Sequence, residues 1–115
     1  MRMVGSLGSR VMLAGCVAVT ALAPLARAGE EAGKAVFEKS CKACHSIAGE
    51  GGKMANVGGP LDGVGAKRDA DWLRKYILDP KAEKPDSKMP KAKLTDQELA
   101  DVVAYLATLK APAAK

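Results

Sequence analysis

Ser40-Cys41-Lys42-Ala43-Cys44-His45-Ser46 gathers the chain's only histidine and two of its three cysteines into five consecutive positions. In Cys-x-x-Cys-His each thiol can add across a vinyl group of haem, and the adjacent imidazole then lies under the iron as an axial ligand. The spacing suits this chemistry because the two vinyls sit on neighbouring pyrrole rings, within reach of one turn of chain. At ordinary Cys and His frequencies of about one to two per cent, a chance match in a chain this short is about one in a thousand.

Other chemistries use the same residues. Cys41 and Cys44 could be a thioredoxin-like redox pair, but that motif belongs in a βαβ setting, and no alternating strand pattern occurs here. A disulfide between residues three apart is open to an exported chain. Zinc would need further ligands, and beyond Cys41, Cys44 and His45 the sequence offers no histidine and one remote cysteine, Cys16.

Compartment decides which of these readings is allowed. Arg2 and Arg10 open the chain, residues 11–25 carry no charge, and Ala26-Arg27-Ala28 supplies an A-x-A site. This pattern predicts a secretory signal peptide over residues 1–28, cut after Ala28, and a single domain over residues 29–115. The apolar stretch is short for a membrane span, so no stable membrane insertion is expected. Leu13-Ala14-Gly15-Cys16 also has the form of a lipoprotein acylation site, but only five residues separate Arg10 from Cys16. Cleavage would remove three arginines and no acid, lowering the net charge from +5 to +2. The basic balance of the whole chain therefore gives no support to nucleic-acid binding.

Three segments of the remainder have helical periodicity. Gly33, Val36, Phe37, Ser40 and Cys41 recur at helical spacing, so a first helix from about Glu31 runs into the cysteines. A second, capped by Asp69 or Asp71, pairs Trp72 with Tyr76 and Leu73 with Ile77, and Asp79-Pro80 ends it. Thr95-Asp96-Gln97-Glu98 is a capping box, followed by an apolar stripe of Leu99, Val102, Val103, Leu106 and Leu109 that ends at Lys110.

The connections are long for so small a domain. Residues 47–68 hold seven glycines, and residues 80–93 hold three prolines with Met89 as the large apolar side chain. Three short helices cannot enclose a conventional core in such company. They can wrap a flat apolar ligand, and covalent attachment would staple them. With His45 on one side of a haem iron, the sixth position is limited by inventory. Outside the leader the chain has two methionines, Met54 and Met89. Met54 follows His45 by nine residues, too close to cross to the other face, so Met89 is the expected ligand.

Taken together, these features resemble the class I c-type cytochromes, small monohaem electron carriers. The resemblance runs from about Glu31 to Lys110. It rests on Gly33 and Phe37, Cys41 to His45, Gly59-Pro60-Leu61, Trp72 with Asp79-Pro80, Lys88-Met89-Pro90 and Tyr105-Leu106. It implies an all-α, cytochrome c-like fold: three main helices and long loops around one covalently bound haem c. It further implies that Gly33 and Phe37 cross the last helix near Tyr105, and that Pro60 offers its carbonyl to the His45 ring N–H.

The function so implied is one-electron transfer by a soluble, monomeric, periplasmic carrier, not an enzyme, with His45 and Met89 on the iron. Its partners would be a redox protein donor and acceptor that dock at the haem edge near Lys88 and Lys91. Two other readings stay open: a cytochrome subunit of a periplasmic dehydrogenase or oxidase, and a haem enzyme or gas sensor in which Met89 is off the iron. Which of Phe37, Trp72, Tyr76 and Tyr105 meets a haem propionate is undecided by sequence.

Overall fold

The computed structural model describes Gly15 and residues 24–112. Apart from Gly15 and the last few positions, the expected leader lies outside the described residues. Helix α1 spans Pro24–Ser40. It starts earlier than the expected Glu31, with proline at the first helical position, where its missing N–H costs no intrahelical bond. It passes without a break through Ala28, the expected cleavage point.

After α1 come a two-residue hairpin, β1 (Ser46–Ile47) and β2 (Glu50–Gly51), and two single-turn helices, α2 (Ala55–Gly58) and α3 (Val64–Lys67). Helix α4 (Ala70–Leu78), the short α5 (Pro80–Glu83) and α6 (Asp96–Ala107) complete the order. The three helices expected from periodicity are α1, α4 and α6. The long connections contain three helical turns and an antiparallel hairpin with Ser46 opposite Gly51 and Ile47 opposite Glu50. Segments of two to four residues are too short to show a hydropathy period.

The caps explain where the helices begin. Asp69, not Asp71, caps α4, its carboxylate accepting from Trp72 N–H at 2.8 Å. Thr95 and Glu98 form the reciprocal capping box on α6: Glu98 N–H donates to the Thr95 hydroxyl at 3.1 Å, and Thr95 N–H donates to the Glu98 carboxylate at 2.9 Å. Helix α6 stops at Ala107, one turn short of the expected Lys110. Leu109 then turns back, and its carbonyl accepts from Gly65 N–H at 2.9 Å.

The core lies where α1 and α4 meet α6: Val36 and Phe37, Leu73 and Ile77, and Leu99, Val102, Val103 and Leu106. The α1–α6 crossing is set by Gly33. A Cβ there would overlap the Asp101 carbonyl and come within 2.6 Å of the Tyr105 Cβ, so the two backbones touch because glycine has no side chain. One turn further along α1, the Phe37 ring meets Tyr105 at 6.3 Å between centroids, tilted by 55°. The expected crossing is therefore present.

Candidate functional site

Helix α1 delivers the cysteines and then changes geometry. Cys41 and Lys42 N–H both donate to the Phe37 carbonyl at 2.9 Å, and one further turn follows, with Cys44 and His45 N–H donating to the Cys41 carbonyl at 3.2 and 3.0 Å. That turn places Cys41, Cys44 and His45, all half-buried, along one wall of a cleft. The two thiols are unpaired. Burial pushes the Cys41 thiol up from its ordinary pKa. Among the described residues there is no cluster of three His, Cys, Asp or Glu side chains that could hold a metal ion.

The His45 imidazole is held from below. Its Nδ1–H donates to the Gly59 carbonyl at 3.1 Å, which leaves Nε2 as the free ring nitrogen. The expected partner was the carbonyl of Pro60, and the structure moves the bond one residue back. Ser46 pairs with Pro60 in a parallel bridge that directs Ser46 N–H to the Gly59 carbonyl and Leu61 N–H to the Ser46 carbonyl. Gly59 reaches this position with φ 77°, in the left-handed region that favours glycine. Gly58 is also packed against the ring: a Cβ there would stand 2.7 Å from His45 Cε1.

The cleft has two lobes, of about 600 Å³ and about 290 Å³. His45, Gly58, Tyr76, Lys84 and Met89 line both. The larger is walled by Leu61, Val64, Trp72, Leu73 and Leu106, with Lys67 and Arg68 at the lining. An apolar wall with cations beside it suits a flat apolar ligand that carries carboxylates, and one imidazole and one thioether supply the donor types of a haem iron. Met54, by contrast, is 54% exposed and lines neither lobe.

The Met89 segment is secured by Ser87, which periodicity did not single out, and through it by Tyr76. Ser87 is buried, bonds to the Tyr76 hydroxyl at 2.7 Å and accepts from Met89 N–H at 3.3 Å. Tyr76 stacks on Trp72 at 4.8 Å, and the Arg68 guanidinium lies 4.2 Å above the Trp72 ring. The sequence signal was available: a serine two residues before the expected ligand Met89, in a loop otherwise rich in lysine and proline.

A Cys-x-x-Cys-His turn opening onto an apolar cleft, in a mostly helical chain, has the thiols, the imidazole and the apolar wall that a carrier of haem c requires. The chain belongs to the cytochrome c family, whose model matches residues 30–110. It is similar to cytochrome c2 of Blastochloris viridis, 34% identical over 120 residues, covering 86% of this chain and 92% of that protein. Cytochrome c-550 of Nitrobacter winogradskyi is 38% identical over 97 residues, covering 66% and 86%. The cytochrome c-type protein cyt cy of Rhodobacter capsulatus is 36% identical over 105 residues, covering 73% of this chain and 49% of that protein. No solved structure matches the chain significantly. The chain is accordingly an electron-transfer protein with one covalent haem c.

Proposed function

We propose that this chain is a periplasmic one-electron carrier, with Cys41 and Cys44 joined to haem and with His45 and Met89 as the axial ligands. The haem, once attached, supplies an iron that passes between ferric and ferrous states. The chain's own residues set its surroundings. His45 presents Nε2 while Gly59 holds Nδ1–H. Met89 offers a soft sulfur that favours the reduced metal, and the apolar wall around Leu61 and Leu106 excludes water. The observation that carries the reading is that His45 and Met89, alone among imidazole and thioether side chains of the described residues, line both lobes of one cleft.

Export is supported by the basic start, the uncharged residues 11–25 and the A-x-A site at Ala26–Ala28. Among the described residues no helix is long and apolar enough to cross a membrane. Lys88 is exposed beside Met89 and lines the smaller lobe, while Lys91 stands 3.7 Å from the Asp79 carboxylate. These cations supply a positive rim for an acidic patch on a redox partner, which speeds encounter more than it tightens binding.

Visible spectra of oxidised and reduced protein test the ligand set. The reading expects haem that survives acid and denaturant, and weak near-infrared absorption from sulfur ligation in the oxidised state. Met89→Ala should abolish that band, lower the potential and open the iron to small ligands. A Met89→Ala variant indistinguishable from wild type would refute the assignment.

A further inference from the structure

The segment that starts at His45 is laced to the segment that starts at Gly59 by three successive rungs. The His45 ring donates to the Gly59 carbonyl at 3.1 Å. Ser46 bridges Pro60, with Leu61 N–H donating to the Ser46 carbonyl at 2.8 Å. Ala48 N–H then donates to Asp62 Oδ1 at 2.8 Å. The third rung differs from the second in depending on a side chain.

That rung also falls at a demanding place. Ala48 has φ 52° and Gly49 φ 79°, so both central residues of the β1–β2 hairpin adopt the left-handed conformation of a tight primed turn. An alanine there is disfavoured by its Cβ and needs a fixed partner for its backbone. The Asp62 carboxylate is that partner. Its second oxygen, Oδ2, is buried without a hydrogen-bond partner, so the carboxylate is located by the bond to Ala48 and not by a network around it.

We infer that Asp62 is a positioning residue for the axial imidazole: by pinning the Ala48 turn it completes the lacing that holds the His45 ring against Gly59. The inference rests on the reading of His45 as an iron ligand. An imidazole whose N–H is firmly bonded is both a stronger donor and a fixed one, so loosening the third rung should reach the first. Asparagine at position 62 would keep an acceptor for Ala48 N–H, and alanine would not.

The test uses the haem-loaded protein as isolated after export, in the reduced state, comparing wild type with Asp62→Ala and Asp62→Asn by NMR. Exchange of the His45 Nδ1 proton should be about tenfold faster in Asp62→Ala, and within about threefold of wild type in Asp62→Asn. The buried Val102 amide reports global opening, and its exchange should change less than that of the Nδ1 proton. Equal acceleration at both sites, or no acceleration at His45, would overturn the positioning role. If Asp62→Ala fails to accumulate, Asp62→Glu carries the same expectation, because the longer side chain displaces the acceptor. The wild-type spectrum separates the two claims. A His45 ring without the strong haem ring-current shift removes the ligand reading and this inference with it; a shifted ring with unaltered exchange in Asp62→Ala removes only this inference.

Discussion

Around Phe37 the chain packs carbon against carbon, whereas around His45 and Met89 it hangs side chains on single hydrogen bonds to loops. At the α1–α6 crossing, Gly33 brings two backbones together and Val102 is entirely excluded from solvent. At the cleft, a serine hydroxyl fixes the Met89 segment, the Gly59 carbonyl accepts from the imidazole, and the bare Gly58 backbone packs against the ring. Burial energy in the first region scales with the area removed from water and tolerates small shifts. Polar fixing in the second is directional and fails when one partner is lost. The helices therefore supply stability, and the loops supply the placement on which the iron's environment depends.

The largest expected effect tests the first half of that contrast. Phe37→Ala removes a ring that is 3% exposed and packs on Tyr105, so it should cost about 3–5 kcal/mol in denaturant unfolding of the holoprotein. The near-infrared band should persist in whatever fraction stays folded, because Phe37 lines neither lobe of the cleft. A loss below about 1 kcal/mol would mean that the crossing is not the stabilising region.

Ser87→Ala tests the second half and should be smaller in stability. It strands the Tyr76 hydroxyl and the Met89 N–H, a cost of about 1–3 kcal/mol. Its signature should appear in the site: weaker sulfur-ligation absorption and faster binding of external ligands to the oxidised iron. Ser87→Thr should restore both, since the hydroxyl is retained. An alanine variant with the lower stability but an unchanged spectrum would show that Ser87 supports the loop without placing Met89.

The same division governs what could be read from the sequence. The helices that pack there were legible because packing writes itself as a period, Gly33 to Phe37 on one side and Leu99 to Leu106 on the other, whereas their crossing near Tyr105 was implied by the family resemblance. The Cys-x-x-Cys-His turn was legible because its chemistry demands one spacing. The loop elements were not, since α2, α3 and the strands of the hairpin are each too short to repeat a pattern. The move from Pro60 to Gly59 has the same origin. Which of two adjacent carbonyls faces an imidazole depends on backbone angles, here a φ of 77° at Gly59, and residue types do not specify them one position at a time.

The smallest expected effect joins the two regions at Tyr105, whose ring packs on Phe37 and whose hydroxyl is pushed above the ordinary tyrosine pKa, first by burial and then by the negative charges of Glu38 and Asp62. In the unfolded chain this phenol ionises near the usual value of about 10. Below that pH both states are protonated, and the contribution to stability is fully present. As pH rises past it, the unfolded state loses its proton first, so stability falls until the folded pKa is also passed. Tyr105→Phe keeps the ring and removes the titration. The stability of wild type and variant should therefore run parallel up to about pH 9 and diverge above about pH 10, wild type falling faster. Glu38→Gln should narrow the gap by removing one of the opposing charges. Because the group is largely open to water, the divergence should be modest and should shrink in high salt, where the carboxylates are screened. Curves that stay parallel through alkaline pH would show that the hydroxyl lies in solvent, and that the core and the Asp62 lacing do not meet at this ring.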